Sequence, residues 1–103
     1  MGSGNVWELA RDLLPKARLW RRRSTTKFDD EIQQTVAAGL LDLRNAGVVN
    51  ADIEDALVQQ ALKFYLKSHF GDDADSDKWG RAYEHLKAAL ALSGDYSGVK
   101  ADG

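Results

Sequence analysis

The chain has no cysteine, which excludes disulfides, thiolate zinc sites and cysteine nucleophiles and suits a protein made in a reducing compartment. It has a single proline, Pro15, so its composition is neither collagen-like nor that of a proline-rich disordered segment. The longest unbroken apolar run, Val36-Ala37-Ala38-Gly39-Leu40-Leu41, falls far below the roughly 18–20 residues that a membrane-spanning helix needs. No membrane partner is expected. The first residues carry no basic-then-apolar signal pattern, and Val6 stands where a myristoylation motif needs Ser or Thr. Strand-like alternation and internal repeats are also missing.

Signatures of chemistry are equally scarce. Neither a Gly-x-Ser-x-Gly elbow nor a glycine-rich phosphate loop occurs. His69 and His85 fall on different expected helices, without the paired spacing of metal ligands. Asp73, Asp75, Asp77 and Glu84 occupy positions one, three, five and twelve of a calcium-binding loop. However, Lys78 replaces its turn glycine, and Gly80 stands where an apolar residue is needed. That region is better explained as an acidic helix start. A helix-turn-helix reading, with Gly47 in the turn, fails because the connection is too long. Its second helix would also open with Asp52, Glu54 and Asp55, against phosphates. We expect no enzymatic activity, no metal and no cofactor.

What is present is the material of one helical domain. The chain has 103 residues, 44% of them hydrophobic and 29% charged, which fits a single core. The net charge of −2 hides a division, because residues 1–27 sum to +5 and residues 28–103 to −7. Such asymmetry suits docking of one segment on an acidic surface. Arg18, Trp20, Arg21, Arg22 and Arg23 form the candidate contact patch. Its partner is an acidic neighbour or, in the alternative of a small DNA-associated helical regulator, the phosphates of DNA.

Periodicity places the helices. Asn5 followed by Glu8 matches a capping box, and Val6, Ala10, Leu13, Ala17 and Trp20 recur at spacings of four and three. Pro15 lacks an N–H and its ring strikes the carbonyl of Arg11, so this stripe should break into two short pieces. Thr26 as cap, with Asp29, Asp30 and Glu31 in the first turn, predicts a second helix over 27–45. Its buried face is Phe28, Ile32, Val36, Leu40 and Leu43, and Gly47 follows its last turn. Ala37, Ala38 and Gly39 allow a close backbone approach, most simply inside the monomer.

Asn50 should cap a third helix that opens with Asp52, Glu54 and Asp55 and ends near Phe70. Its main buried face is expected to be Ile53, Leu57, Ala61, Phe64 and Tyr65. Val58, Leu62 and Leu66 widen the apolar arc and form the candidate oligomer face. Asp75 or Ser76 caps a fourth helix that buries Trp79, Tyr83, Leu86 and Leu90 and ends at Ser93-Gly94. Trp7 is expected in the core with Trp79 and Tyr83, leaving Trp20 as the aromatic that faces a partner. The fold class is all-α: a compact bundle of about four helices with a kinked basic N-terminal helix and a flexible C-terminal tail.

Four strings then fall, in order, at helix starts, ends and connections: Phe28-Asp29-Asp30-Glu31-Ile32, Asp42-Leu43-Arg44-Asn45-Ala46-Gly47-Val48, Lys67-Ser68-His69-Phe70-Gly71 and Leu92-Ser93-Gly94-Asp95-Tyr96. With this order and spacing, the stretch from Lys27 to Tyr96, about two-thirds of the chain, resembles the head–tail connector, or head-completion, proteins of long-tailed bacteriophages, which act as DNA-packaging adaptors. The departure is at the front. Such proteins often begin close to the first helix with a more apolar segment, whereas this chain has Trp20-Arg21-Arg22-Arg23 before Ser24-Thr25-Thr26.

The resemblance implies a non-enzymatic homo-oligomeric ring, roughly dodecameric in the virion. The ring would sit beneath the portal protein in the neck and extend a channel through which DNA passes without sequence readout. It would also offer a platform to the next neck or tail-completion protein. The resemblance implies synthesis in the host bacterial cytoplasm and a final place at the head–tail junction. On this reading residues 1–26 are a basic helical segment, 27–94 the connector domain and 95–103 a flexible tail. Tyr96 in that tail orders against the portal during assembly.

Overall fold

The computed structural model describes residues 5–21, 28–69 and 75–97. All regular structure among them is helical: α1 Val6–Asp12, α2 Leu14–Arg21, α3 Asp29–Asn45, α4 Ala56–His69, α5 Ser76–Leu92 and α6 Gly94–Ser97. Thr26, the expected cap of α3, and the Asp73 of the calcium-like spacing lie outside the described residues. So do Phe70 and Gly71.

The N-terminal stripe is interrupted as its proline dictates. Asn5 accepts a hydrogen bond from the Glu8 amide at 2.9 Å and starts α1. Leu13 ends it, and Pro15 is the second residue of α2, where its missing N–H costs nothing. Ala10, Leu13 and Ala17 remain buried on both sides of the break. This face packs on α3, with α2 also reaching α4. Gln33, the one buried polar side chain among the described residues, is satisfied by donating to the Trp7 carbonyl at 2.9 Å. Trp7 itself is 44% exposed, so it is not the core residue its spacing suggested.

α3 keeps its expected face: Ile32, Val36, Leu40 and Leu43 are buried, and Phe28 packs against them. Three acids occupy its first turn, where the helix dipole favours them. Beyond its end Gly47 adopts φ +103°, which only glycine holds without strain. Val48, whose amide reaches back to the Leu43 carbonyl at 2.8 Å, is fully buried.

α4 begins at Ala56, five residues later than a cap at Asn50 would start it. The acids compete with the helix by closing local turns. Asp52 accepts from the Glu54 amide at 2.9 Å and Asp55 from the Leu57 amide at 3.2 Å. Asn50 is engaged elsewhere, its amide donating to the Tyr96 carbonyl at 2.9 Å and its side chain to the Asp95 carbonyl at 3.2 Å. These bonds hold α6 on the α3–α4 connection, so residues 95–97 of the expected tail are packed as part of a short helix, and the rest of it lies outside the described residues.

The core lies between α4 and its neighbours α3, α5 and α2. Ala61, Leu62, Leu66, Leu40 and Leu43 anchor it, and each fully buried leucine contributes about 1.5–3 kcal/mol. Tyr83 and Leu90 are the buried residues of α5, while Leu86 and Trp79 are half-buried.

Candidate interaction surface

The expected oligomer face does not face outward. Val58, Leu62 and Leu66 are 0%, 1% and 0% exposed, and belong to the core of their own chain. Leu57, assigned by periodicity to the buried side, is 47% exposed instead. The physical reason is the number of partners: α4 is covered by α3 on one side and α5 on another, so both flanks of its wide apolar arc are partly filled from within. Gly39 on α3 makes the close approach possible. A Cβ there would sit 3.0 Å from side-chain carbons of both Leu62 and Tyr65.

What α4 leaves exposed divides into two unlike strips. One borders α5 and forms an open apolar groove of about 590 Å³ lined by Ala56, Leu57, Gln60, Phe64, His85 and Leu86, among others. The other borders α2 and is a shallow concavity of about 430 Å³ lined by Lys16, Leu19, Trp20, Gln59, Lys63 and Lys67. Among the described residues no acidic side chain lines it. Lys63 and Lys67 are one helical turn apart, and Lys16 faces them from α2. Leu19 is 75% exposed at the rim, and Trp20 is half-buried against the core.

Of the basic residues singled out from the sequence, Arg18 is already occupied. Its guanidinium forks onto Asp29, Nε to Oδ1 at 2.9 Å and Nη2 to Oδ2 at 2.8 Å, pinning α2 to the first turn of α3. The hydrogen bonds from Arg18 hold the Asp29 carboxyl below its ordinary range, and the arginine is correspondingly raised. The Arg21 side chain, Arg22 and Arg23 lie outside the described residues. Lys16, Lys63 and Lys67 were not singled out by sequence, because their convergence is created only by the packing of α2 on α4.

Tyr96 is not free to meet a partner. Its hydroxyl donates to the Asp55 carboxylate, at 2.9 Å and 2.6 Å to the two oxygens. That contact pushes the phenol's pKa up, with burial adding to the effect. A second polar cluster joins α3 to α5. Tyr83 donates to Asp42 at 2.5 Å, and Lys87 donates to the same oxygen at 2.9 Å and to Glu84 at 3.2 Å. Burial alone pushes Asp42 upward, but the bonds from Tyr83 and Lys87 outweigh it and leave the carboxyl below its ordinary range. Burial, followed by the bond to Asp42, drives the Tyr83 phenol far up, so it stays a neutral donor at physiological pH.

The histidines do not converge. His69 stacks on Tyr65 with ring centroids 4.0 Å apart, and its Nδ1 lies 2.9 Å from the Tyr65 carbonyl. His85 is exposed on α5. Asp77 and Glu84 sit along one continuous helix, not around a loop. Among the described residues no group of His, Asp and Glu side chains is placed to hold a metal ion, and no helix is long and apolar enough to cross a membrane. No family model, no curated protein and no solved structure matches the chain.

Proposed function

We propose that this chain is a non-catalytic structural protein of a tailed-phage neck. Its copies associate side by side into a ring, roughly dodecameric, between the portal and the next neck or tail-completion protein, around the path of the DNA. It is made in the bacterial cytoplasm and works at the head–tail junction of the virion.

The observation that carries the reading is the pair of unlike strips on α4, the apolar groove beside α5 and the basic concavity beside α2. A small unit encloses a wide channel only by repetition, and a closed head-to-tail ring requires two different adhesive faces per copy. The strings that resemble connector proteins support it too. They fall at the start of α3, at the Gly47 turn, at the end of α4 and at the α5–α6 corner.

In this reading the helices from α3 onward act as the bundle of about four helices. Residues 5–21, packed on α3 and α4, serve as its kinked basic N-terminal segment. Trp20, Arg21, Arg22 and Arg23 supply portal or intersubunit contacts, while Arg18 serves mainly to position them. Tyr96 joins the portal only when its bond to Asp55 opens. The adhesive apolar face passes from Val58, Leu62 and Leu66 to Leu57, Phe64 and Leu86.

The test is the mass of the protein by light scattering, alone and mixed with a candidate portal, beside Leu57→Glu, the triple change of Arg21, Arg22 and Arg23 to Ala, and a copy ending at Ser97. A ring-sized or portal-bound mass that the variants lose supports the reading. A monomer that ignores the portal overturns it and favours the DNA-associated regulator, for which the basic concavity is the specific observation.

A further inference from the structure

We infer that the concavity between α2 and α4 is a phosphate-backbone site for nucleic acid, formed by Lys16, Lys63 and Lys67 around Trp20. It goes beyond the ring reading, because the site is complete within one copy and nucleic acid would compete there with a neighbouring copy.

Lys63 and Lys67 stand one turn apart on α4, about 6 Å along its axis, and both line the concavity. Lys16 adds a third from α2 across the concavity. Neither Lys16 nor Lys63 forms an ion pair among the described residues. The Lys67 ammonium lies over the Trp79 ring of α5, 5.1 Å from its centroid, so this cation is shared between the concavity edge and that ring. Like charges at positions four apart on a helix repel, and among the described residues no acidic lining residue relieves them. An anionic ligand would.

The lining chemistry selects the anion class. A row of lysines without a hydrogen-bonding cage suits a repeating polyanion held by charge, with no readout of bases. Trp20 and Leu19 give an apolar floor and rim beside the ammonium groups, a pairing of a backbone-tracking positive groove with an aromatic surface that bases can meet without readout.

The experiment is fluorescence anisotropy of the full chain with labelled 20-base-pair duplexes of two unrelated sequences and with single-stranded oligo-dT, each at several salt concentrations. Binding should be equal for the two duplexes and should weaken steeply with salt. Lys63→Gln and Lys67→Gln should each lower the slope of log affinity against log salt by about one. Arg44→Gln, which removes the same charge at the far end of α3, should leave the slope unchanged. The single-stranded arm tells whether one strand suffices for the contact.

Variants that bind with the parent slope, or an Arg44→Gln effect of the same size, would overturn the assignment. Equal affinity for a poly-glutamate chain of matched charge would also overturn it, and would give the surface to an acidic protein segment. Because Lys63 makes no other polar contact among the described residues, its substitution leaves the fold intact.

Discussion

Arg18 and Asp29 lock together through two parallel hydrogen bonds of 2.9 and 2.8 Å, so the first arginine of the candidate contact patch is spent on holding α2 against α3. The same lock helps to orient the last turn of α2, where Trp20 packs against the core. Arg18→Gln and Asp29→Asn should each lower the thermal midpoint, and the double variant should lose less than the sum of the two. A double-mutant cycle by thermal melting measures this coupling. Strictly additive losses would show that the pair does not act as a unit.

Tyr83 is the buried donor to Asp42. Tyr83→Phe keeps the ring but leaves the carboxylate with Lys87 alone, and should cost about 1–3 kcal/mol in urea unfolding. Tyr83→Leu should cost more, because the edge-on contact with Tyr65, at 5.0 Å between centroids, disappears as well.

Leu62 and Leu57 separate core from surface on one helix. Leu62→Ala should cost about 2–5 kcal/mol of unfolding free energy, whereas Leu57→Ala should stay within about 0.5 kcal/mol. The opposite ranking in denaturant titrations would return Leu62 to the role of a free association face.

Stability should form a plateau bounded on both sides. Asp29 and Asp42 have folded pKa values below their ordinary ones, so they contribute stability above about pH 4 that is lost as pH falls through the lowered values. Tyr83, Tyr96 and Lys87 are raised, so their contribution is intact below about pH 10 and is lost as pH rises beyond it. Urea midpoints from pH 2 to 11 would trace both edges, and Asp42→Asn should flatten the acid one.

Tyr96 fastens α6. Tyr96→Phe should accelerate amide hydrogen exchange at Asn50, whose N–H donates to the Tyr96 carbonyl, while leaving the Leu40 and Leu62 amides protected. Unchanged exchange at Asn50 would mean that the backbone bond holds α6 without the phenol.

Much of this protein is determined by local sequence. The all-helical class, the α1 cap at Asn5, the break around Pro15, the α3 face of Ile32, Val36, Leu40 and Leu43, the Gly47 turn and the α5 boundaries near Asp75 and Ser93 all depend on residues within a turn or two of one another. Periodicity and capping chemistry are short-range, so they can be seen without the fold. Tertiary structure alone decided which flank of α4 is covered, because an apolar arc wider than one stripe offers two registers and the neighbours choose between them. It also decided that Asn50 serves α6 instead of α4, that Arg18 is consumed by Asp29, and that Lys16 meets Lys63 and Lys67. Each of these pairs unites residues distant along the chain, and only packing of one helix on another brings their charges and hydrogen-bonding groups within reach.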